Sequence, residues 1–202
     1  MPTVSRIVIA SLTLLATTAC GTSSDQKAEP AAKPEAAPVA TAKAVPDHAA
    51  VVERGKYLVT TSGCEDCHTP LTMTASGPAP DPSRRLSGHP EGMPLPPPPA
   101  VGDAWNVAVA ATMTAWTGPW GTSFTANLTP DKDTGLGTWT EEMFVATVRN
   151  GRHLGTGRPL LPPMPPTVAL FTDEDLHAIF AYLQSLPPVK NRVPDPLPPA
   201  RS

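Results

Sequence analysis

The sequence predicts a mainly α domain of about three to five short helices joined by long proline-rich loops. Three observations predict it. Residues 47–62, 138–151 and 172–186 place apolar side chains at helical spacing behind a residue able to cap a helix. Proline makes up 28 of the 202 residues, far above the ordinary ~5%, so much of the remaining chain must be loop or extended. Between the first two helical segments stands Cys64-Glu65-Asp66-Cys67-His68, a spacing that demands a compact turn.

That last stretch carries the chemistry. Two thiols three positions apart can reach the two vinyl groups on one edge of a porphyrin and form thioethers, and the adjacent histidine then falls beneath the iron. Read this way, Cys64 and Cys67 attach one haem c covalently and His68 is its proximal ligand. The same five residues could also be a redox dithiol, half of a zinc site or a structural disulfide. A dithiol asks for a strand–helix context, and a zinc site asks for a second cysteine or histidine pair. The sequence offers neither. Composition agrees with a bound porphyrin: aromatic residues are only 5% of the chain, so large apolar side chains are scarce.

The totals bound the rest. A chain of 202 residues is enough for one domain. Its three cysteines leave no pair for a structural disulfide once two are given to haem. A net charge of −3, with no basic stripe, gives no reason to expect a nucleic-acid partner.

Residues 1–19 read as an export signal, with Arg6 the single charge ahead of an apolar run too short to span a bilayer. Thr17-Thr18-Ala19-Cys20 is close to a bacterial lipoprotein cleavage site. The preferred reading is a lipid-modified Cys20 at the mature N-terminus; the other is an ordinary cleaved signal with a spectator cysteine. Either reading sends the chain out of the cytoplasm, to the periplasm or the periplasmic face of a membrane. Residues 20–46 are rich in Ala, Pro, Lys and Glu, bury too little to order themselves, and read as a disordered tether. The folded domain is expected over residues 47–190, followed by a frayed proline-rich tail over 191–202.

In the first helix, Asp47 can cap, and Val51, Val52, Gly55, Leu58 and Val59 share a face. Gly55 is costly inside a helix by about 1 kcal/mol, which suggests close approach of another backbone. Residues 69–100 form a polar excursion with nine prolines between Gly77 and Ala100. His89 and Met93 lie there; either could ligate iron, and exposed loop residues are the preferred reading. Residues 101–120, with Trp105, Trp116 and Trp120, suit either a short strand pair or irregular packing. Turn chemistry marks Asn127-Leu128-Thr129-Pro130-Asp131 and Gly135-Leu136-Gly137. The second helix follows, capped by Thr138 or Thr140, with Phe144, Val145 and Val148 on its apolar face and Met143 expected in the core. His153, in the loop beyond, is expected to be solvated.

Leu160-Leu161-Pro162-Pro163-Met164-Pro165-Pro166 is the second stretch with chemistry in it. Its prolines stiffen an extended loop, and Pro165 keeps Met164 out of the helical region. A stiff loop presenting one thioether is what a weak sulfur–iron bond needs, so Met164 is expected as the distal ligand. The last helix has Thr172 as cap, Asp175 three residues on, and Leu176, Ile179, Phe180 and Leu183 on its apolar face, with His177 exposed. Pro187-Pro188 end it.

Helix, Cys-x-x-Cys-His, long loop, helix, proline-flanked methionine and terminal helix together resemble the class I cytochromes c. The resemblance is nearer to single-haem domains that serve membrane-associated dehydrogenases, in which patterns similar to Asn127-Leu128-Thr129-Pro130-Asp131, Gly135-Leu136-Gly137, Trp139, Arg149-Asn150-Gly151 and Leu161-Pro162-Pro163-Met164-Pro165 recur. It implies a cytochrome c fold, Cys64 and Cys67 as haem attachments, His68 and Met164 as axial ligands, and first and last helices crossing at Gly55. It also implies that a proline carbonyl soon after the haem motif orients the imidazole, with Pro70, Pro78 and Pro80 as candidates. The implied function is one-electron transfer between redox partners, such as a dehydrogenase, an oxidase or another cytochrome. A carrier of this kind is not itself an enzyme. The alternatives are a subunit fixed to a dehydrogenase and, further off, a haem enzyme or sensor with an open distal site. The long proline-rich insert after the haem motif departs from the family's plan.

Overall fold

The computed structural model describes residues 47–97 and 106–199. The expected export signal, Cys20, the tether over residues 20–46 and Trp105 lie outside the described residues. Among the described residues there are four α-helices: α1 (His48–Thr61), α2 (Cys64–His68), α3 (Glu141–Asn150) and α4 (Asp173–Gln184). Their number falls within the expected range. The domain is nevertheless not plainly all-α, because the insert between α2 and α3 folds into two small antiparallel sheets.

The core lies where α1, α3 and α4 meet. Leu58 and Val59 of α1, Phe144 and Val148 of α3, and Leu176, Ile179 and Leu183 of α4 are buried together with Leu86 and Leu136. Phe144 and Phe180 stack with ring centroids 5.3 Å apart. Gly55 sits where α1 crosses α4: a Cβ there would lie 1.9 Å from the Ala178 carbonyl oxygen, so only glycine lets the two backbones approach. Arg54 Nη2 reaches Asp175 Oδ1 at 2.9 Å across the same crossing. His177 is exposed as expected, and its Nδ1 lies 2.7 Å from Glu141 Oε2, linking α4 to α3.

The caps are a mixed outcome. The Thr140 hydroxyl accepts from Met143 N–H at 3.3 Å, and the Thr172 hydroxyl accepts from Asp175 N–H at 3.1 Å. Asp47 occupies the expected cap position of α1 but makes no side-chain capping bond. Met143 is 41% exposed rather than in the core, because the buried face of α3 is set by Phe144, Thr147 and Val148.

In the insert, β1 (Leu71–Thr74) and β2 (Gly77–Pro80) form a hairpin with Leu71 opposite Pro80. Pro78 and Pro80 are tolerated because each strand of a two-stranded sheet keeps a free edge. Strands β3 (Ala108–Val109), β4 (Ala115–Gly118) and β5 (Gly121–Phe124) form a second sheet in the order β3-β4-β5, with Trp116 opposite Ser123. The strand reading of residues 101–120 thus holds for the described part.

The proline-rich tail, described as far as residue 199, pairs with the β5 segment. Thr122 and Leu197 exchange two backbone hydrogen bonds of 2.9 Å, which makes the tail a partner for β5. Asn191 is fully buried, and its side-chain amide donates to the Ser87 and His89 carbonyls at 2.7 and 2.8 Å. Among the described residues no helix is long and apolar enough to cross a membrane.

Candidate haem site

Gly63, in the left-handed region at φ 70°, turns the chain from α1 directly into α2. The five residues of α2 place Cys64 and Cys67 one turn apart, both half-buried and neither in a disulfide. Cys64 packs against the hydrophobic core. Burial pushes the Cys64 thiol up to about 11, with the charges of Glu65 and Asp66 adding to the rise. The Cys67 thiol is raised by burial and by Asp66. Both therefore stay protonated at neutral pH. A thiol–disulfide exchange site needs the opposite, a thiol shifted down toward the thiolate. Between the two cysteines, Glu65 is held by Arg85, whose Nε donates at 3.1 Å and whose Nη2 makes a second, shorter bond.

His68 closes α2. Its Nδ1 lies 2.8 Å from the Ala126 carbonyl oxygen. A carbonyl can only accept, so Nδ1 carries the proton and Nε2 keeps its lone pair. Burial holds the imidazole below the ordinary histidine range, with the Ala126 bond opposing that shift. A neutral histidine with Nε2 free and the opposite nitrogen anchored is the form that binds a metal.

The orienting carbonyl is thus Ala126, not one of the three proline candidates. Pro70 is buried and its carbonyl accepts from Asp81 N–H at 2.9 Å, while Pro78 and Pro80 are taken up by the β2 ladder. The insert loops away and returns, and the returning segment passes beside His68. Gly88 N–H donates to the His68 carbonyl at 2.8 Å, and His89 N–H to the Thr125 carbonyl at 3.0 Å. Gly88, at φ 77°, fits only because it has no side chain; a Cβ would lie 2.3 Å from the Thr125 oxygen.

His89 is the clearest departure from expectation. It is 1% exposed, its Nδ1 lies 2.9 Å from the Thr114 hydroxyl, and its ring stacks on Phe124 at 4.9 Å. Its Nε2 is buried and unpartnered among the described residues. Met93 remains exposed, and the half-buried His153 packs edge-on against Trp139 at 5.3 Å. Met164 is half-buried in its proline loop, and its N–H turns back to the Leu161 carbonyl at 3.3 Å. Among the described residues no cluster of three or more His, Cys, Asp and Glu side chains is placed to hold a metal ion, as a zinc site would require.

The residues present fit a covalently attached haem. Two neutral thiols stand one turn apart, followed at once by an imidazole with the correct nitrogen free. Ala126, which anchors His68, and Asn191, which holds the Ser87 and His89 carbonyls beside it, carried no signal of their own in the sequence. Only the turn motif at Asn127, one residue past Ala126, marked the neighbourhood.

No family model matches the chain. It is 33% identical over 134 residues to the gluconate 2-dehydrogenase cytochrome c subunit of Pantoea cypripedii, covering 66% of this chain and 22% of that protein. It is 31% identical over 141 residues to the cytochrome c subunit of the quinone alcohol dehydrogenase of Gluconacetobacter polyoxogenes, covering 68% and 25%. It is 29% identical over 147 residues to one of the subunits of the nicotinate dehydrogenase of Pseudomonas putida, covering 72% and 9%. The chain therefore spans a quarter or less of the length of these curated relatives. At this modest identity the chain is similar to cytochrome c subunits of dehydrogenases, which supports a cytochrome c-type domain.

Proposed function

We propose that this chain is a single-haem electron-transfer module working with a dehydrogenase, as a subunit of its complex rather than as a free shuttle. The cytochrome c relatives named above are dehydrogenase subunits, which favours the fixed arrangement. The observation that carries the reading is the His68–Ala126 hydrogen bond, which leaves Nε2 free beside two protonated thiols.

In this reading Cys64 and Cys67 would hold one haem c by thioethers, and His68 and Met164 would ligate its iron. Bound haem supplies a one-electron couple, and a neutral thioether in an apolar pocket favours its reduced state. The Ala126 carbonyl fixes the His68 ring and raises its basicity. The apolar side chains around Cys64 exclude water from that side of the site. If His68 and Met164 both bind the iron, no position would be left for a substrate, and the chain itself would carry electrons rather than act as an enzyme. As a fixed subunit the chain would share a permanent interface with the dehydrogenase, larger than the small contact of a transient electron-transfer encounter. We place the chain in the periplasm or on the periplasmic face of a bacterial membrane, held by a lipid on Cys20; the residues ahead of Cys20 support this.

The test is expression of the full chain in a host competent for cytochrome c maturation. A c-type pyridine haemochrome spectrum, one haem of added mass and co-purification with a dehydrogenase are expected. A colourless product at the mass of the bare polypeptide would refute the haem assignment.

A further inference from the structure

The methionine loop has almost no means of holding itself. Four of the five residues from Pro162 to Pro166 are prolines, which have no N–H to donate. The one remaining donor, Met164 N–H, is spent within the loop on the Leu161 carbonyl. The loop is tied down before it by Leu160 N–H to the Gly151 carbonyl at 2.8 Å, and after it by Arg149 to the Ala169 carbonyl. Between those ties, among the described residues, one hydrogen bond reaches it from elsewhere: the buried Ser123 hydroxyl donates to the Pro162 carbonyl at 2.5 Å. The Trp116 carbonyl, at 3.4 Å, is a far weaker acceptor for the same proton.

Ser123 is well placed for such a duty. Its strand, β5, is paired on one edge with β4 and on the other with Leu197, so the hydroxyl is presented from a fixed backbone. Three residues on, the same segment offers the Ala126 carbonyl to His68. One short run of the chain therefore touches both the His68 side chain and the loop that carries Met164, the two assigned iron ligands.

We propose that Ser123 is a positioning residue that latches the methionine loop, keeping Met164 in place. The proposal rests on Met164 as distal ligand. Its test is imidazole binding to the oxidised holoprotein, which requires the methionine to leave, followed beside the sulfur-to-iron charge-transfer band. Ser123→Ala should bind imidazole about fivefold more tightly than the unaltered protein, the factor that loss of one hydrogen bond gives. It should also lose the charge-transfer band at a lower temperature. Ser83→Ala, which removes an exposed hydroxyl bonded to Asp81, should leave both unchanged. Should the alanine variant fail to mature, Ser123→Thr decides: it keeps the hydroxyl and should match the unaltered protein, and tighter imidazole binding would count against the latch. An unaltered protein with the band, together with a Ser123→Ala variant of unchanged affinity, overturns the latch alone. An unaltered protein without the band overturns Met164 and the latch together.

Discussion

Gly55 and Ala178 bring the backbones of the first and last helices into close approach: a Cβ on Gly55 would stand 1.9 Å from the Ala178 carbonyl oxygen. The obstacle is backbone, so no rotamer change relieves it. Gly55→Ala gains about 1 kcal/mol of helix propensity but forces the helices apart. Overpacking of this kind costs roughly 1–3 kcal/mol and here exceeds that range, because the Leu58, Val59 and Leu183 contacts must open too. A net loss of about 2 kcal/mol or more is expected from urea unfolding. Lys56→Ala, one residue on and exposed, should stay within about 0.5 kcal/mol.

Asn191 gives a second prediction. Its amide serves the Ser87 and His89 carbonyls, and its Oδ1 accepts from Glu91 N–H at 2.7 Å. These bonds pin the segment that also carries Gly88, the donor to the His68 carbonyl. Asn191→Leu preserves bulk and removes the partner of those backbone groups at a buried position. The expected cost is about 3 kcal/mol of unfolding free energy in urea, against little change for the exposed Arg192→Ala.

What could be read without coordinates was what depends on neighbours in sequence. Helices α1, α3 and α4 followed from apolar spacing, and the Thr172 cap from its place just ahead of it, while the cap of α3 stayed open between Thr138 and Thr140. Gly55 marked a close backbone approach, and only the family resemblance said that the last helix makes it. The cysteine pair and His68 needed only their spacing. What escaped depends on residues far apart in the chain. Ala126 acts through its carbonyl, which every residue type has, so no side chain could mark it. Ser123 matters only once the β4–β5 register is known. His89 looked like a loop residue because Thr114 and Phe124, which enclose it, lie 25 and 35 positions away. The prolines suggested loop throughout, yet Pro78 and Pro80 lie in a strand that has a free edge.

The burial of His89 predicts a pH dependence. Burial holds its imidazole below the ordinary value of 6.5, so the folded state resists protonation that the unfolded chain accepts. The unfolded state then binds more protons than the native state below that pH, and stability rises with pH there. The contribution is complete above about 6.5 and is lost as pH falls through the lower folded value, with a slope of at most about 1.4 kcal/mol per pH unit. His89→Gln should flatten the part of the stability–pH curve that begins below 6.5. An unchanged slope in that variant would mean that other groups, such as His153, carry the acid sensitivity.

Met164→Ala tests the assignment of the distal ligand and the non-enzymatic reading together. Removing the thioether opens an axial position, so the reduced variant should bind carbon monoxide rapidly where the unaltered protein binds it slowly. The charge-transfer band should vanish, and the reduction potential should fall, because neutral thioether ligation favours the reduced state. The competing methionines are poorly suited to the task. Met73 is 77% exposed on a two-stranded hairpin and Met143 is 41% exposed on α3, and neither sits in a stiff loop. Survival of the band in Met164→Ala would nonetheless transfer the role to Met73, Met93, Met113 or Met143. Rapid carbon monoxide binding by the unaltered protein would instead indicate an open distal site, and with it a haem enzyme or sensor.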